Sequence, residues 1–261
     1  MSSENFDLYS TYYDLLYAGK KYLEEAQFIA SLLEQYDSDG KDLLELGCGT
    51  GIHAAHLAEM DYRVHGIDRS TEMLKAAEER RAGLAAETAA RLSFAPGDLR
   101  DFFVDRSFDH VISLFDVISY LPDNAALKQS LDHIRGVLRP GGLLVFDCWY
   151  GPAVYTQKPH VRARRLSSDK AEIVRIAEPE FHYERNVIDV NYDIYAKNLA
   201  TGEISNFKEV HPMRCFFDAE LDELMAGMGF ERMFSLEWFT GKPPSTDSWS
   251  VLFGYRLTLG A

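Results

Sequence analysis

Glu45-Leu46-Gly47-Cys48-Gly49-Thr50-Gly51 stands where a short apolar run, 42–46, gives way to a stretch with helical spacing that begins near Gly51. Glycines at a strand-to-helix turn let the backbone approach a ligand closely and leave helix N-terminal N–H groups free to bind it. The alternation continues downstream. Apolar runs at 63–67, 92–95, 108–114 and 143–148 are separated by helical patterns that begin near Ser70 and Asp123, as in a parallel sheet covered on both faces. Ser70 precedes Thr71-Glu72-Met73 as an N-cap does, and Arg139-Pro140-Gly141-Gly142 ends the helix carrying Leu131, Ile134, Val137 and Leu138.

The flanks read differently. Phe6, Tyr9, Tyr12, Tyr13, Leu16 and Tyr17, followed by Tyr22, Phe28, Ile29, Leu32 and Leu33, predict two helices with a break at Gly19. Residues 151–170 hold the one basic run, Lys158, Arg162, Arg164 and Arg165, and 171–216 alternate with period two. Ile188, Val190, Tyr192 and Ile194 point one way, and Asp189, Asn191 and Asp193 the other, which predicts an antiparallel hairpin insertion turning at 198–202. A last helix, 219–228, closed by Gly229, precedes strands at 233–239 and 250–257 on either side of a polar, Pro-rich loop, 240–247. The expected fold is α/β and Rossmann-like with an inserted antiparallel β lid. Its parts are an N-terminal helical cap (1–37), a binding core (38–150), the lid and acceptor region (151–217) and a C-terminal helix and strands completing the core (218–261).

The 261 residues carry 27 basic and 41 acidic side chains, a net charge of −14. No basic stripe of the kind that neutralises a phosphate backbone is present, so a small molecule is a better partner than nucleic acid. The absence of a long apolar run and the polar, acidic start predict a soluble, cytoplasmic protein without membrane association. Three scattered cysteines, Cys48, Cys148 and Cys215, suit neither a disulfide framework nor a C-x-x-C metal site. His53 and His56 are spaced to share a metal, but no third ligand is suggested nearby, and no metal is expected.

Two cofactor classes use a glycine turn of this kind. The dinucleotide fingerprint needs glycine at position 52, which is Ile52, and Glu45 is a poor neighbour for a pyrophosphate. A sulfonium cofactor with an amino-acid tail tolerates that carboxylate, which can accept a hydrogen bond from its ammonium. The turn, with Gly47, Cys48 and Gly49, therefore favours S-adenosylmethionine, leaving S-adenosylhomocysteine as product. Asp68, ending the second strand, is placed to bond both ribose hydroxyls, and Asp98, closing the third, to accept from the adenine amino group. Tyr22 is grouped with these cofactor residues. Cys48 reads as a small filler in the turn.

In these features the chain resembles class I S-adenosylmethionine-dependent methyltransferases, through ELGCGTG, HGID, APGDLRDF, FDHVISLFDVISYL and LRPGGLLVFD. The resemblance implies a mostly parallel seven-stranded sheet. It also implies that Arg69 and Met73 flank the ribose and adenine, that Leu99 contacts the adenine edge and that Leu114 backs the methionine portion. The flanks narrow the likeness: Tyr13-Asp14-Leu15-Leu16-Tyr17-Ala18-Gly19-Lys20, Cys148-Trp149-Tyr150-Gly151-Pro152, Glu209-Val210-His211-Pro212-Met213-Arg214 and Leu252-Phe253-Gly254-Tyr255-Arg256 look like the nucleotide-amino-sugar N-methyltransferases. The implied activity is N-methylation of a dTDP-linked amino sugar. Small-molecule N- or O-methylation of an amino acid, sugar hydroxyl or natural product stands as the alternative, and a non-catalytic cofactor-binding regulator lies outside the class. A homodimer is one oligomeric arrangement the sequence leaves open.

Where those sugar enzymes read Ser-Ser-Ile-Gly-His or Gly-Tyr, this chain has Asp116-Val117-Ile118-Ser119-Tyr120. Asp116 reads equally as an amine-recognising carboxylate and as a structural cap. Candidates for holding the acceptor or taking a proton are Tyr13, Tyr17, Tyr120, Glu209, His211 and Arg214. Because histidine titrates near neutrality, His211 is the foremost general base. Trp149 and Tyr150 are placed to stack on a base or sugar or to pack the lid, and the basic run with Arg162, Arg164 and Arg165, at the sheet's carboxyl edge, reads either as a holder of a nucleotide diphosphate or as a solvated loop.

Overall fold

The computed structural model describes residues 16, 19–37, 39–168 and 171–258. Tyr13 and Tyr17, and with them most of the first expected helix, lie outside the described residues. Helix α1 (Tyr22–Tyr36) follows Gly19 and leads to β1 (Asp42–Leu46), α2 (Ile52–Glu59), β2 (Arg63–Asp68), α3 (Thr71–Ala82), the single turn α4 (Ala86–Ala89), β3 (Leu92–Pro96) and β4 (Phe108–Ser113). A 3₁₀ turn (Val117–Tyr120) and α5 (Asn124–Val137) connect β4 to β5 (Leu138–Tyr150). Ser70 caps α3 by accepting from the Met73 N–H, and Asp123 caps α5 by accepting from Ala126.

Strands β3, β2, β1, β4 and β5 lie side by side in that order, all parallel. Beyond β5, β11 (Ser250–Leu257) and β10 (Phe230–Glu237) add two antiparallel ladders, which completes the expected seven strands. The strand order reverses between β1 and β4, the place where open α/β sheets leave a crevice at their carboxyl ends. Alternate side chains of the sheet feed two cores. Leu44, Val111, Leu144 and Phe146 pack with Leu131 and Ile134 of α5 and with Leu221 and Met225 of α7 (Asp218–Gly227). On the other face Leu43, Ile112 and Val145 pack with Ile29 and Leu33 of α1 and Leu57 of α2.

The insertion is larger than one hairpin. After α6 (Gly151–Gln157), strands β6 (Arg162–Ser167), β7 (Ala171–His182), β8 (Val187–Asn198) and β9 (Ile204–Phe216) form an antiparallel sheet. The expected turn stands between β8 and β9, closed by Gly202 N–H to the Asn198 carbonyl at 2.8 Å. Three expected elements shift. Residues 151–170 contain a helix and a strand, and the basic run is no solvated loop, because Arg162-Ala163-Arg164-Arg165-Leu166 has side chains on alternating faces and a β7 edge to pair with. Leu138 opens β5 opposite Phe108 and does not end α5, and β10 starts at Phe230, a buried residue that follows the helix-ending Gly229 directly.

β4 last pairs with β5 at Ser113 and Phe146, and β5 continues past it. The edge so vacated is taken by β9, through Trp149↔Cys215 and Tyr150↔Phe216. The insertion thus grows from the sheet directly above the end of β4.

On the far strands the packing has no slack. Gly254 on β11 faces Phe234 on β10, and a Cβ at Gly254 would lie 2.3 Å from that ring. Gly254→Ala is expected to lower unfolding stability by about 1–3 kcal/mol, read as a lower urea midpoint at unchanged slope.

Candidate active site

Sequence locates the glycine turn, and hydrogen bonds hold it. The Ile67 carbonyl at the end of β2 accepts from the Gly47 and Cys48 N–H groups at 2.7 and 3.0 Å. Asp68 accepts from Gly49 N–H with one oxygen (2.9 Å) and from Ser70 N–H with the other (2.8 Å). Gly47 has φ +72°, and a Cβ there would meet Val117 at 2.6 Å, so the turn needs glycine both for its conformation and for the close approach of the 3₁₀ segment. Cys48 is buried, and burial pushes its thiol well above the ordinary range, which fits a filler and removes it as a nucleophile.

Glu45 lies behind the turn and is 2% exposed. It accepts the Ala54 N–H, yet Oε2 is buried without a partner among the described residues. Burial, and secondarily the charge of Asp68, push this carboxyl up to about 8. A buried carboxylate oxygen left unsatisfied is costly, and an ammonium brought by a ligand supplies the missing donor and charge. The turn and Glu45 together therefore fit the amino-acid tail of S-adenosylmethionine.

The other expected cofactor residues surround the same end of the sheet. Met73 and Leu114 are buried, Leu99 is partly buried against the core, and Arg69 is exposed. Asp98 is engaged by Arg100 through two 2.7 Å bonds, which hold its carboxyl at about 2; an adenine amino group would use its remaining lone pairs. Tyr22 lies edge-on to His53, ring centroids 5.0 Å apart.

That histidine belongs to a buried chain. Lys20 pairs with Glu25, Glu25 accepts from His53 Nε2 at 2.7 Å, and His53 Nδ1 is 3.8 Å from Glu45. Although burial works against it, the His53 hydrogen bond and the Lys20 charge hold the Glu25 carboxyl low. Lys20 also stands over the Phe115 ring, 4.3 Å from its centroid. His56 turns away to Glu59, so the two histidines do not share a ligand. Lys20, Glu25 and His53 had no sequence signature as a chain, since their partners come from separate elements.

On the acceptor side three candidates meet. The Tyr120 hydroxyl lies 2.5 Å from His211 Nδ1, and His211 Nε2 lies 3.0 Å from Glu209. Tyr192 closes one flank of the imidazole edge-on, at 4.9 Å between centroids. Asp116 does not cap the 3₁₀ turn. Its Oδ1 lies 2.8 Å from the Ser250 hydroxyl, and its N–H donates to Asp147. Asp147, Ser250 and Trp238 were not anticipated, although a carboxylate inside the apolar run 143–148 is a visible anomaly.

The remaining acceptor candidates are placed elsewhere. Tyr150 is buried, with its hydroxyl donating to Asp218 at 2.6 Å, and is a core residue. Trp149 packs edge-on to Trp249 and seats the insertion on the sheet. Arg214, three positions from His211 and so on the opposite face of β9, is buried against Glu220 and Asn124 with its guanidinium over Phe216. The basic run is split by strand alternation. Arg162 lies in one cross-strand row with Ala177, Tyr192 and Glu209, and Arg164 in the next with Arg175, Ile194 and Phe207, whereas Arg165 points to the other face.

A family model described as a methyltransferase domain matches residues 43–142. The ubiquinone biosynthesis O-methyltransferase of Actinobacillus pleuropneumoniae is 30% identical over 181 residues, 67% of each chain. The chain belongs to the S-adenosylmethionine-dependent methyltransferases. The enzyme is also similar along nearly its whole length to the dTDP-3-amino-3,6-dideoxy-alpha-D-glucopyranose N,N-dimethyltransferase of Streptomyces fradiae, with 27% identity over 94% of this chain and 90% of that one. Among solved structures, the sugar N-methyltransferase KedS8 from a Streptoalloteichus species superposes with a TM-score of 0.77 at 28% identity, covering 95% of this chain and 93% of that one.

In this methyltransferase Glu45 holds its proton at neutrality, because its folded-state value lies above the ordinary one. An ammonium that binds the ionised form must expel that proton. Calorimetry of cofactor binding near neutrality, in buffers of different ionisation heat, is expected to show proton release. Glu45→Gln should abolish the release and weaken binding by about 1.5–3 kcal/mol.

Proposed function

We propose that the acceptor is the amino group of a nucleotide-linked sugar, held between the glycine turn and the inserted sheet. The observation that carries this reading is the Tyr120–His211–Glu209 chain above the end of β4, joined to the likeness to a dTDP-amino-sugar dimethyltransferase. S-adenosylmethionine supplies an electrophilic methyl group when bound. The protein's own part is to align the acceptor nitrogen, exclude water and manage its protons.

The chain has a direction. With Glu209 ionised, His211 donates from Nε2 and presents the Nδ1 lone pair, so the Tyr120 proton points at His211. The phenol is thereby oriented on His211, and His211 takes up the proton that the alkylated nitrogen sheds. Asp116, half-buried beside this segment and bridged to Asp147 by Ser250, belongs to an acidic pair that supplies negative charge for an amine. Arg162 and Arg164 share the face of Glu209 and His211 at three strand spacings, about 14 Å, and serve the diphosphate; residues 151–217 act as the acceptor unit.

Labelled methyl transfer to dTDP-3-amino and dTDP-4-amino hexoses, with the matching hydroxy sugars as controls, tests the reading. One amino sugar should take the label and its hydroxy analogue should remain inert. Label on the hydroxy sugar alone, or on none of the panel, rejects it. His211→Ala should lower kcat by about a hundredfold with cofactor affinity intact.

Strand alternation makes a second expectation. Arg162→Ala with Arg164→Ala should raise the KM for the nucleotide sugar, and Arg165→Ala should leave it unchanged. Equal effects from both changes would remove the arginine face from the acceptor site.

A further inference from the structure

Asp147 is 3% exposed in the middle of β5. Its Oδ1 accepts from the Asp116 N–H at 2.8 Å and its Oδ2 from the Trp238 indole N–H at 3.2 Å. Ser250 on β11 places its hydroxyl 2.8 Å from Asp116 Oδ1 and 3.2 Å from Asp147 Oδ2. A hydroxyl has one proton and cannot donate to both carboxylates. If both were ionised, one of the two contacts would set lone pair against lone pair in a buried site. The arrangement closes when one carboxyl carries a proton and donates it to Ser250.

Asp147 already accepts two N–H bonds and is the better place for the charge. The proton therefore belongs to Asp116, giving a directed chain from Asp116 Oδ1–H to Ser250 Oγ–H to Asp147 Oδ2. Asp116 Oδ2 has no hydrogen-bond partner among the described residues, and Asp116 keeps partial exposure while Asp147 has almost none.

We propose that Asp116 and Asp147, bridged by Ser250, share one proton at rest and draw a second from the acceptor's ammonium through the free oxygen of Asp116. This role rests on the amine reading above. An N–H bond breaks and leaves its electron pair on nitrogen. The proton goes to Asp116 Oδ2, the Asp116 Oδ1 proton passes to Ser250, and the Ser250 proton to Asp147 Oδ2. The acceptor goes from +1 to 0 and the pair from −1 to 0; the pair returns its extra proton to solvent before the next cycle. Asp116 touches the acceptor, whereas Asp147 and Ser250 are positioning residues that act through it.

Lys20 and Glu25 at the start of α1 and Cys148 on β5 are the titratable neighbours of the pair. Burial raises both carboxyls, Asp116 further because Asp147 adds its charge. Lys20 opposes the rise without bonding either acid, its ammonium being paired with Glu25.

The test is single-turnover methyl transfer to the amino sugar across pH, for wild type, Asp147→Asn and Ser250→Ala. Both variants should fall about tenfold near neutrality and approach wild type in alkaline solution, where the acceptor arrives as free amine, with cofactor affinity unchanged. A loss of equal size at every pH marks a structural role and overturns the proposal. Infrared difference spectroscopy supplies a readout independent of turnover: Glu45 contributes a neutral-carboxyl band to both proteins near neutrality, and the wild type minus Asp116→Asn difference should retain one further neutral-carboxyl band. A difference spectrum without that band overturns the shared proton even if amino sugars are methylated. A difference spectrum with the band, from a wild type that methylates no amine at any pH, defeats the amine reading, and the pair's role with it.

Discussion

The tether between the glycine turn and the end of β2 is the constraint on which the site depends. One carbonyl, Ile67, accepts two successive N–H groups, and one carboxylate, Asp68, accepts the next and caps the following loop. With the turn pinned, α2 begins at a fixed point, Val117 closes against Gly47, and Glu45 is sealed behind both. A looser turn would admit water to Glu45 and relieve the very deficit that selects a cationic ligand.

Charge is distributed to the same end. Glu45, Asp68, Asp116 and Asp147 come from the ends of β1, β2 and β4 and from inside β5; on the proposed sharing the Asp116–Asp147 pair carries one negative charge, Glu45 ionises when an ammonium binds, and Lys20 balances Glu25 beside them. A sulfonium bearing an ammonium and an acceptor amine are both drawn to such a place, whereas a pyrophosphate would be repelled. The positive residues that suit a diphosphate stand apart, on β6, on the far side of the insertion. The two ends of a nucleotide sugar would thus meet surfaces of opposite sign.

Much of this was legible in the sequence because it is local. Parallel strands buried on both faces announce themselves as apolar runs, and Ser70, Asp123 and Gly202 have turn and cap chemistry that works over three or four residues. The turn and its acids were readable for the same reason. What remained hidden depends on register and on distant partners. Nothing near Arg214 shows that Glu220 and Asn124 will bury it, nor does Tyr150 show its bond to Asp218. The strand in the basic run depends on the edge that β7 provides, and alternation along that strand divides its arginines. Asp147 was visible as an anomaly, but its meaning required Ser250, 103 positions away.

The insertion meets the sheet through two residue pairs of β5 and β9, while β7 and β8 run together for twelve. The backbone ladder between insertion and sheet is therefore short, and side chains carry the rest of the junction: Trp149 against Trp249, Arg214 against Asn124 and Glu220, and Tyr120 against His211. A backbone ladder persists whatever its side chains, whereas a side-chain junction changes with its residues, so the seating of the insertion on the sheet is set by a handful of substitutable positions.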